Sequence, residues 1–460
     1  MSGEASRLWL ESVLLPGGWA RRVRITERDG IIRAVETEVD PADGDERHAV
    51  GIPGIPNLHS HAFQRAIAGL TERRGPAEDS FWTWRELMYR FVERMDPDKL
   101  EAVTALAFAE MLEAGFTRVG EFHYLHQDKS GVPFADPGEL AGRVAAAAAE
   151  SGIGLTLLPT FYAHGGFGSL EPSARQRRFV TDLERYARIV ESSRKLAREL
   201  PGGNVGVAPH SLRAVALAEL PAVVALAAGG PVHIHIAEQV REVEDCVAWC
   251  GRHPIELLFE TIAIGERWCL VHATHATPEE LERIAAAGAV VGLCPITEAS
   301  LGDGVFPAPQ LQALGGRLGI GSDSNVLLDA GAELRMLEYS QRLTRRARNV
   351  LAGDSGHSTG RSLFDAALAG GAQALRDAGA QSPIGLAAGS PLDLVSLDAS
   401  HPALIERRED EILDSWIFAA GRSVIDCVWR AGEKVVSGGR HRQHDAIVAR
   451  YQRAVKALLG

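Results

Sequence analysis

The chain has 460 residues, 46% of them hydrophobic and 23% charged, with a formal net charge of −12. That length exceeds one small core and leaves enough apolar surface for a large domain plus a smaller one. The acidic balance, with both signs interspersed, excludes a general nucleic-acid binder, which needs a basic excess to neutralise phosphates.

Residues 7–50 read as short β segments. Ser12–Leu15, Arg22–Ile25 and Ile31–Thr37 carry apolar or β-branched residues, with turns at Pro16-Gly17-Gly18 and Asp29-Gly30. From about Gly51 to Gly385 the rhythm changes, and strand-like runs alternate with helical stretches. Val50–Ile55 is the first predicted strand of this region. Helix Asp98–Ala114 precedes strand Thr117–Glu121, helix Gly138–Glu150 precedes Leu155–Thr160, and helix Thr181–Glu199 precedes Val205–Ala208. Helix Leu220–Ala228 leads to Val232–Ile236, Ile255–Ile262 to Cys269–His272, Pro278–Ala287 to Val290–Leu293, and Leu311–Leu314 to Leu318–Ser322. Repeated units of this kind predict an α/β fold, a (β/α)8 TIM-type barrel over residues 51–385. Beyond it, Leu392–Leu397, Ser415–Ala419, Val424–Trp429 and Lys434–Val436 are strand-like. Residues 1–50 plus 386–460 are therefore expected to form a small β domain, a β-sandwich built from both termini.

The five cysteines, Cys246, Cys250, Cys269, Cys294 and Cys427, contain no C-x-x-C pair and are odd in number. That fits free thiols in a reducing compartment. The N-terminal stretch lacks the basic start and apolar run of a signal peptide, and no membrane-length apolar run occurs. The expected location is the cytoplasm, with no membrane or nucleic-acid partner.

In a (β/α)8 barrel, chemistry sits at the C-terminal ends of the strands. Those ends carry, in order, His59 and His61, Glu121 and His123, His210, His235, His272 and Asp323. An isolated strand-end histidine is more often a structural hydrogen-bonding group. Several on one rim point to a metal, because buried polar groups need partners. His59 and His61 are two apart, so an extended segment turns both imidazoles one way. In His233-Ile234-His235-Ile236-Ala237-Glu238, His235 lies nearer the strand end; His233 is expected to pack in the barrel. Glu238, on the emerging loop, can relay protons to a substrate nitrogen. Asp323 can bind the metal and take a proton from its water, whose pKa falls near 7 when metal-bound. His275 is expected to be structural or solvent-facing. No lysine occurs between Lys195 and Lys434, so strand four offers no bridge for a second metal. One divalent metal ion per chain is the simpler reading. The ligand set suits several metals, with Zn2+ expected.

Pro53-Gly54-Ile55-Pro56-Asn57-Leu58-His59-Ser60-His61, then H-x-x-E, a sixth-strand histidine and Gly321-Ser322-Asp323, resembles the amidohydrolase superfamily, in its mononuclear aminohydrolase branch. More specific segments are His59–Ala66, Asp79–Tyr89, Glu121–His126 and Pro209-His210-Ser211-Leu212-Arg213. These are similar to the formimidoylglutamate deiminase family of histidine degradation. The resemblance covers nearly the whole chain. It implies hydrolysis of N-formimidoyl-L-glutamate to N-formyl-L-glutamate and ammonia, by attack of metal-bound hydroxide on the formimidoyl carbon. It implies His59, His61, His235 and Asp323 as metal ligands, and Asp323, His272 and Glu238 as catalytic groups. A small dicarboxylate substrate calls for arginines, and Arg85 and Arg213 stand at matching positions. Gln64, Tyr124 and His210 are expected to add hydrogen bonds. A related aminohydrolase acting on a guanidino, pterin or nucleobase compound is the nearest alternative. A non-catalytic metal-binding barrel is a more distant one. A homodimer is expected for a cytosolic enzyme.

Overall fold

A computed structural model of the chain describes residues 5–75, 79–376 and 382–460. The N-terminal strands are β1 (Ser6–Leu15), β2 (Gly18–Arg28), β3 (Ile31–Glu36) and β4 (Glu46–Pro53). β1 and β2 pair antiparallel across the turn at Pro16-Gly17, where Gly18 takes a φ of +113°. Next come β5 (Ile55–Ser60), β6 (Phe116–His123), β7 (Gly154–Phe161), β8 (Asn204–Val205) and β9 (Ala208–Pro209). They are followed by β10 (Val232–Ile236), β11 (Trp268–His272), β12 (Val290–Leu293) and β13 (Arg317–Ile320). The last strands are β14 (Leu394–Leu397), β15 (Ile425–Arg430), β16 (Glu433–Ser437) and β17 (Arg440–His441).

β5 to β8 form one parallel sheet, with β9 on β7, and β10 to β13 form another. Single parallel bridges join their edges, Val207 to Val232 and Ser60 to Asp323. Helices between the strands cover one face, where Ile234, Leu270, Val291 and Ile320 pack with Leu334 and Phe364. Leu58, Cys269, Val271 and Val290 form a separate cluster. On β11 the alternation is plain: Trp268 and Leu270 join the first cluster, Cys269 and Val271 the second.

The remaining strands make one continuous sheet in the order β17-β16-β15-β14-β4-β1-β2-β3. This corrects the expected sandwich: β4 pairs with β14, which fuses the two terminal sets into a single hydrogen-bonded sheet. Leu10, Val23, Ile25, Leu394 and Trp429 form its core. Three other expectations are corrected. Val50–Ile55 is not one strand: the chain divides at Gly54, whose amide donates to the Asp393 carbonyl while that of Ile55 donates to Gly115. A side chain at Gly54 would collide with Thr117, so the crossing needs glycine. Ser415–Ala419 is helical, with Trp416 and Ile417 buried; a short apolar run does not separate a strand from a buried helical turn. The C-terminal part is also not purely β, because it ends in the helix His444–Leu459. That helix ties back to the larger region through His444 and Glu113, whose ring nitrogen and carboxylate lie 2.8 Å apart.

Candidate active site

The parallel strands bring the histidines together. His59 and His61 leave the end of β5, His235 sits on β10, His272 ends β11, and Asp323 follows β13. The ligand atoms of His59, His61, His235 and Asp323 all lie within 4.8 Å of one another, and all four residues are buried. The His61 Nε2 is 3.3 Å and the His59 Nε2 3.6 Å from Asp323 Oδ1. The His59 and His235 Nε2 atoms face each other at 3.0 Å. His61 Nδ1 donates to the Phe122 carbonyl at 2.9 Å and His235 Nδ1 to the His210 carbonyl at 3.1 Å. Those bonds fix the tautomers and leave both Nε2 lone pairs pointing at the cluster. Burial holds the three imidazoles in their neutral form, with His59 lowered to about 3. Burial opposes ionisation of Asp323, yet the adjacent histidines hold it below the usual carboxylate range. Three converging nitrogen lone pairs and one carboxylate make a donor set that fits a divalent cation.

The backbone here is strained. Ala237, His272, Ala273, Asp323 and Asn325 all have positive φ, between +44° and +67°. At His272 the consequence is direct. Strand alternation would send its side chain with Trp268 and Leu270 toward the helices, and the left-handed turn instead brings it to Asp323. Its Nε2 stands 3.8 Å from Asp323 Oδ2 and 3.9 Å from Glu238 Oε1. Burial disfavours charge on His272, but Glu238, Glu298 and Asp323 outweigh it and raise the ring to about 10. Burial raises Glu238 to about 7, against the pull of His272 and Arg213.

A cavity of about 470 Å³ opens onto this cluster. Gln64, Arg85, Tyr124, His210 and Arg213 all line it. The Gln64 amide donates to the Tyr124 hydroxyl at 2.8 Å, and its own carbonyl has no partner. Arg213 is shared by Glu238 at 3.7 Å and Glu242 at 3.9 Å. Among the described residues Arg85 has no carboxylate within 4.0 Å, and its buried Nε lacks a hydrogen-bond partner. Arg85 sits on the helix Phe81–Val92, capped by Ser80. His233 lies apart from the cluster, donating to the Ala374 carbonyl at 2.8 Å.

Two acidic residues went unnoticed in the sequence. Glu298 Oε1 lies 3.2 Å from His272 Nδ1. Glu242 accepts the Glu238 amide at 3.1 Å. Glu242 follows Glu238 by four residues, a spacing that could have flagged it; Glu298 lies a whole βα unit from its partner.

Strand-end histidines with a carboxylate, facing an acid–base pair across a pocket, define a metal-dependent hydrolase site. The chain belongs to the amidohydrolase family, which residues 50–435 match. Residues 9–49 match the family described as formimidoylglutamate deiminase HutF, N-terminal domain. A formimidoylglutamate deiminase from Pseudomonas aeruginosa is 50% identical over 99% of both chains. The crystal structure of an amidohydrolase from Brucella melitensis superposes with a TM-score of 0.95 and 52% identity, over 99% of this chain and 100% of that one. A zinc-bound adenosine deaminase from Xanthomonas campestris shares the fold, with a TM-score of 0.81, 24% identity and 98% coverage of each chain.

Proposed function

We propose that the protein hydrolyses N-formimidoyl-L-glutamate to N-formyl-L-glutamate and ammonia. The observation that carries this reading is Arg85: a cavity-lining arginine without a carboxylate partner among the described residues, in the same pocket as Arg213 and the histidine cluster. A substrate with two carboxylates supplies what Arg85 lacks. The 50% identity to the Pseudomonas deiminase supports the same conclusion.

His59, His61, His235 and Asp323 would hold one divalent ion, which we take to be zinc. Bound there, it supplies Lewis acidity that makes water nucleophilic at neutral pH. Asp323 accepts the proton as the water oxygen bonds to the formimidoyl carbon. His272 steadies the developing oxyanion through its Nε2 proton. Glu238 gives one proton to the terminal nitrogen and Asp323 passes on the proton it took from water; as the carbon–nitrogen bond breaks, the hydroxyl proton returns to Glu238, the carbonyl forms and ammonia leaves. Arg85 and Arg213 hold the carboxylates, while Gln64, Tyr124 and His210 orient the rest.

The edge bridges Val207–Val232 and Ser60–Asp323 support reading the two parallel sheets as one closed barrel over residues 51–385. Residues 1–50 and 386–460 are its companion domain. All five cysteines are free, which supports a cytoplasmic setting. No helix among the described residues is long and apolar enough to cross a membrane.

An ammonia-release assay tests the function. Formimidoylglutamate should turn over, while guanine, cytosine and neutral guanidino compounds should not. Turnover of a nucleobase with none of the diacid would sink the proposal.

A further inference from the structure

The steps above leave the Trp82 indole and Arg241, both on the cavity wall, without a part. Three guanidinium groups gather at that one ring. The Cζ of Arg85 lies 4.5 Å from its centroid, that of Arg241 4.9 Å and that of Arg213 5.9 Å. They come from separate elements. Arg85 is one turn along the helix of Trp82, Arg213 follows β9, and Arg241 stands at the start of the helix Val240–Cys250.

Like charges brought this close repel. A π face offsets part of that repulsion and fixes the direction of each guanidinium without using its N–H donors. The remaining compensation is uneven. Arg213 already serves two buried glutamates. Among the described residues Arg241 meets only Asp245, at 3.7 Å, in a pair more than half exposed, and such pairs bind weakly. Arg85 meets no carboxylate among the described residues. Among the described residues, this wall is left with guanidinium donors that no protein carboxylate takes up.

We infer that Arg241 is a third arm of the carboxylate clamp, and that Trp82 is a positioning residue that sets the three guanidinium groups in register. This rests on the dicarboxylate reading above. Two carboxylates present four oxygens, and Arg213, divided between Glu238 and Glu242, does not saturate one of them in bidentate fashion. Arg241, at the exposed mouth, takes the side-chain carboxylate, the group furthest from the reacting carbon.

The test combines two measurements on metal-loaded enzyme: calorimetric binding of glutarate, and ammonia release from N-formimidoyl-L-glutamate. The proteins are wild type, Arg241→Ala, Arg241→Lys, Trp82→Leu and Trp82→Phe. Arg241→Ala should raise both KM and the glutarate Kd by about tenfold, with kcat within about threefold. Arg241→Lys should fall between it and wild type. On N-formimidoyl-L-2-aminobutyrate, which lacks the side-chain carboxylate, the KM penalty of Arg241→Ala should vanish. Trp82→Leu should behave as Arg241→Ala does, and Trp82→Phe, which keeps a ring, should recover most of the loss. Unchanged KM and Kd in Arg241→Ala would overturn the third arm. A wild-type-like Trp82→Leu, or a Trp82→Phe no better than Trp82→Leu, would overturn the platform. Wild type that fails to bind glutarate also overturns the clamp. Wild type that binds glutarate but releases no ammonia refutes the proposed reaction instead, and the binding series still decides the clamp.

Discussion

Glu298 and His272 are joined by a contact of 3.2 Å between the carboxylate Oε1 and the ring Nδ1. The same oxygen accepts the Cys294 amide at 2.8 Å, which anchors Glu298 to the end of β12. The Nδ1 proton is thereby committed, and the Nε2 is left to face Asp323 and Glu238. Glu298 also helps raise the His272 pKa, so the ring stays protonated where the proposed mechanism calls for a cation. Glu298→Ala frees the ring to rotate and lowers its pKa. We expect kcat to fall by about 10- to 100-fold, with KM changed far less. Steady-state kinetics on a variant shown by circular dichroism to be folded would check this. An unaffected kcat would mean that packing alone orients His272.

Asp323 carries two duties, since it faces His59 and His61 on one side and His272 on the other. Asp323→Asn keeps the shape and removes the base. Turnover should drop by about 10²- to 10⁴-fold. Metal content, read by atomic absorption after dialysis, separates the duties. Near-normal turnover in a variant that still holds its metal would rule out Asp323 as the proton acceptor.

In the proposed reaction Arg213 links substrate binding to the pH profile. Its charge draws the Glu238 pKa down, against the burial that raises it to about 7. As the proposed proton donor, Glu238 works in its protonated form, which is present below its pKa. Activity should therefore fall as pH rises through about 7. Removing Arg213 removes a lowering influence, so in Arg213→Ala that fall should move to higher pH. The KM should also rise by at least about 30-fold, because a buried charged partner is lost. Arg85 adjoins neither glutamate, so Arg85→Ala should raise KM and leave the pH limb in place. A limb that shifts equally in both variants would disconnect it from Glu238.

Much of this site was legible because strand ends are marked in sequence by where an apolar run stops. His59, His61, His235, His272 and Asp323 all fall at such stops, and the structure gathers them. The helix Phe81–Val92 was missed. Its twelve residues carry five aromatics, and its Ser80 cap is the mark of a helix start in the sequence. Glu298 was missed for another reason. It acts through His272, which it touches in space, and local spacing does not mark a partner a βα unit away; Glu242, four residues after Glu238, did carry a local signal. The fused terminal sheet depended on one pairing, β4 with β14, between segments more than 300 residues apart, for which the sequence carries no register signal.

The seam between β5 and β13 sets His59 against Asp323, and Gly321 packs there directly against the His59 backbone. A Cβ there would lie 2.7 Å from the His59 carbonyl oxygen and 2.9 Å from both its amide nitrogen and its Cβ. Two of those three atoms are backbone and cannot swing aside. The strands cannot part freely either. The Ser322 and Asp323 amides both donate to the His59 carbonyl at 3.0 Å, and the His61 amide donates to Asp323 at 2.8 Å. Asn57 adds a further tie, accepting the Ser322 amide at 3.0 Å. Gly321→Ala must stretch these bonds, at a cost of about 1–3 kcal/mol. Both the melting temperature and the retained metal should fall together, because one displacement moves two ligands. Gly265→Ala, whose Cβ would meet nothing within 4 Å, serves as the control and should leave both unchanged. A Gly321→Ala protein with wild-type melting and metal content would show that the seam yields without disturbing the ligands.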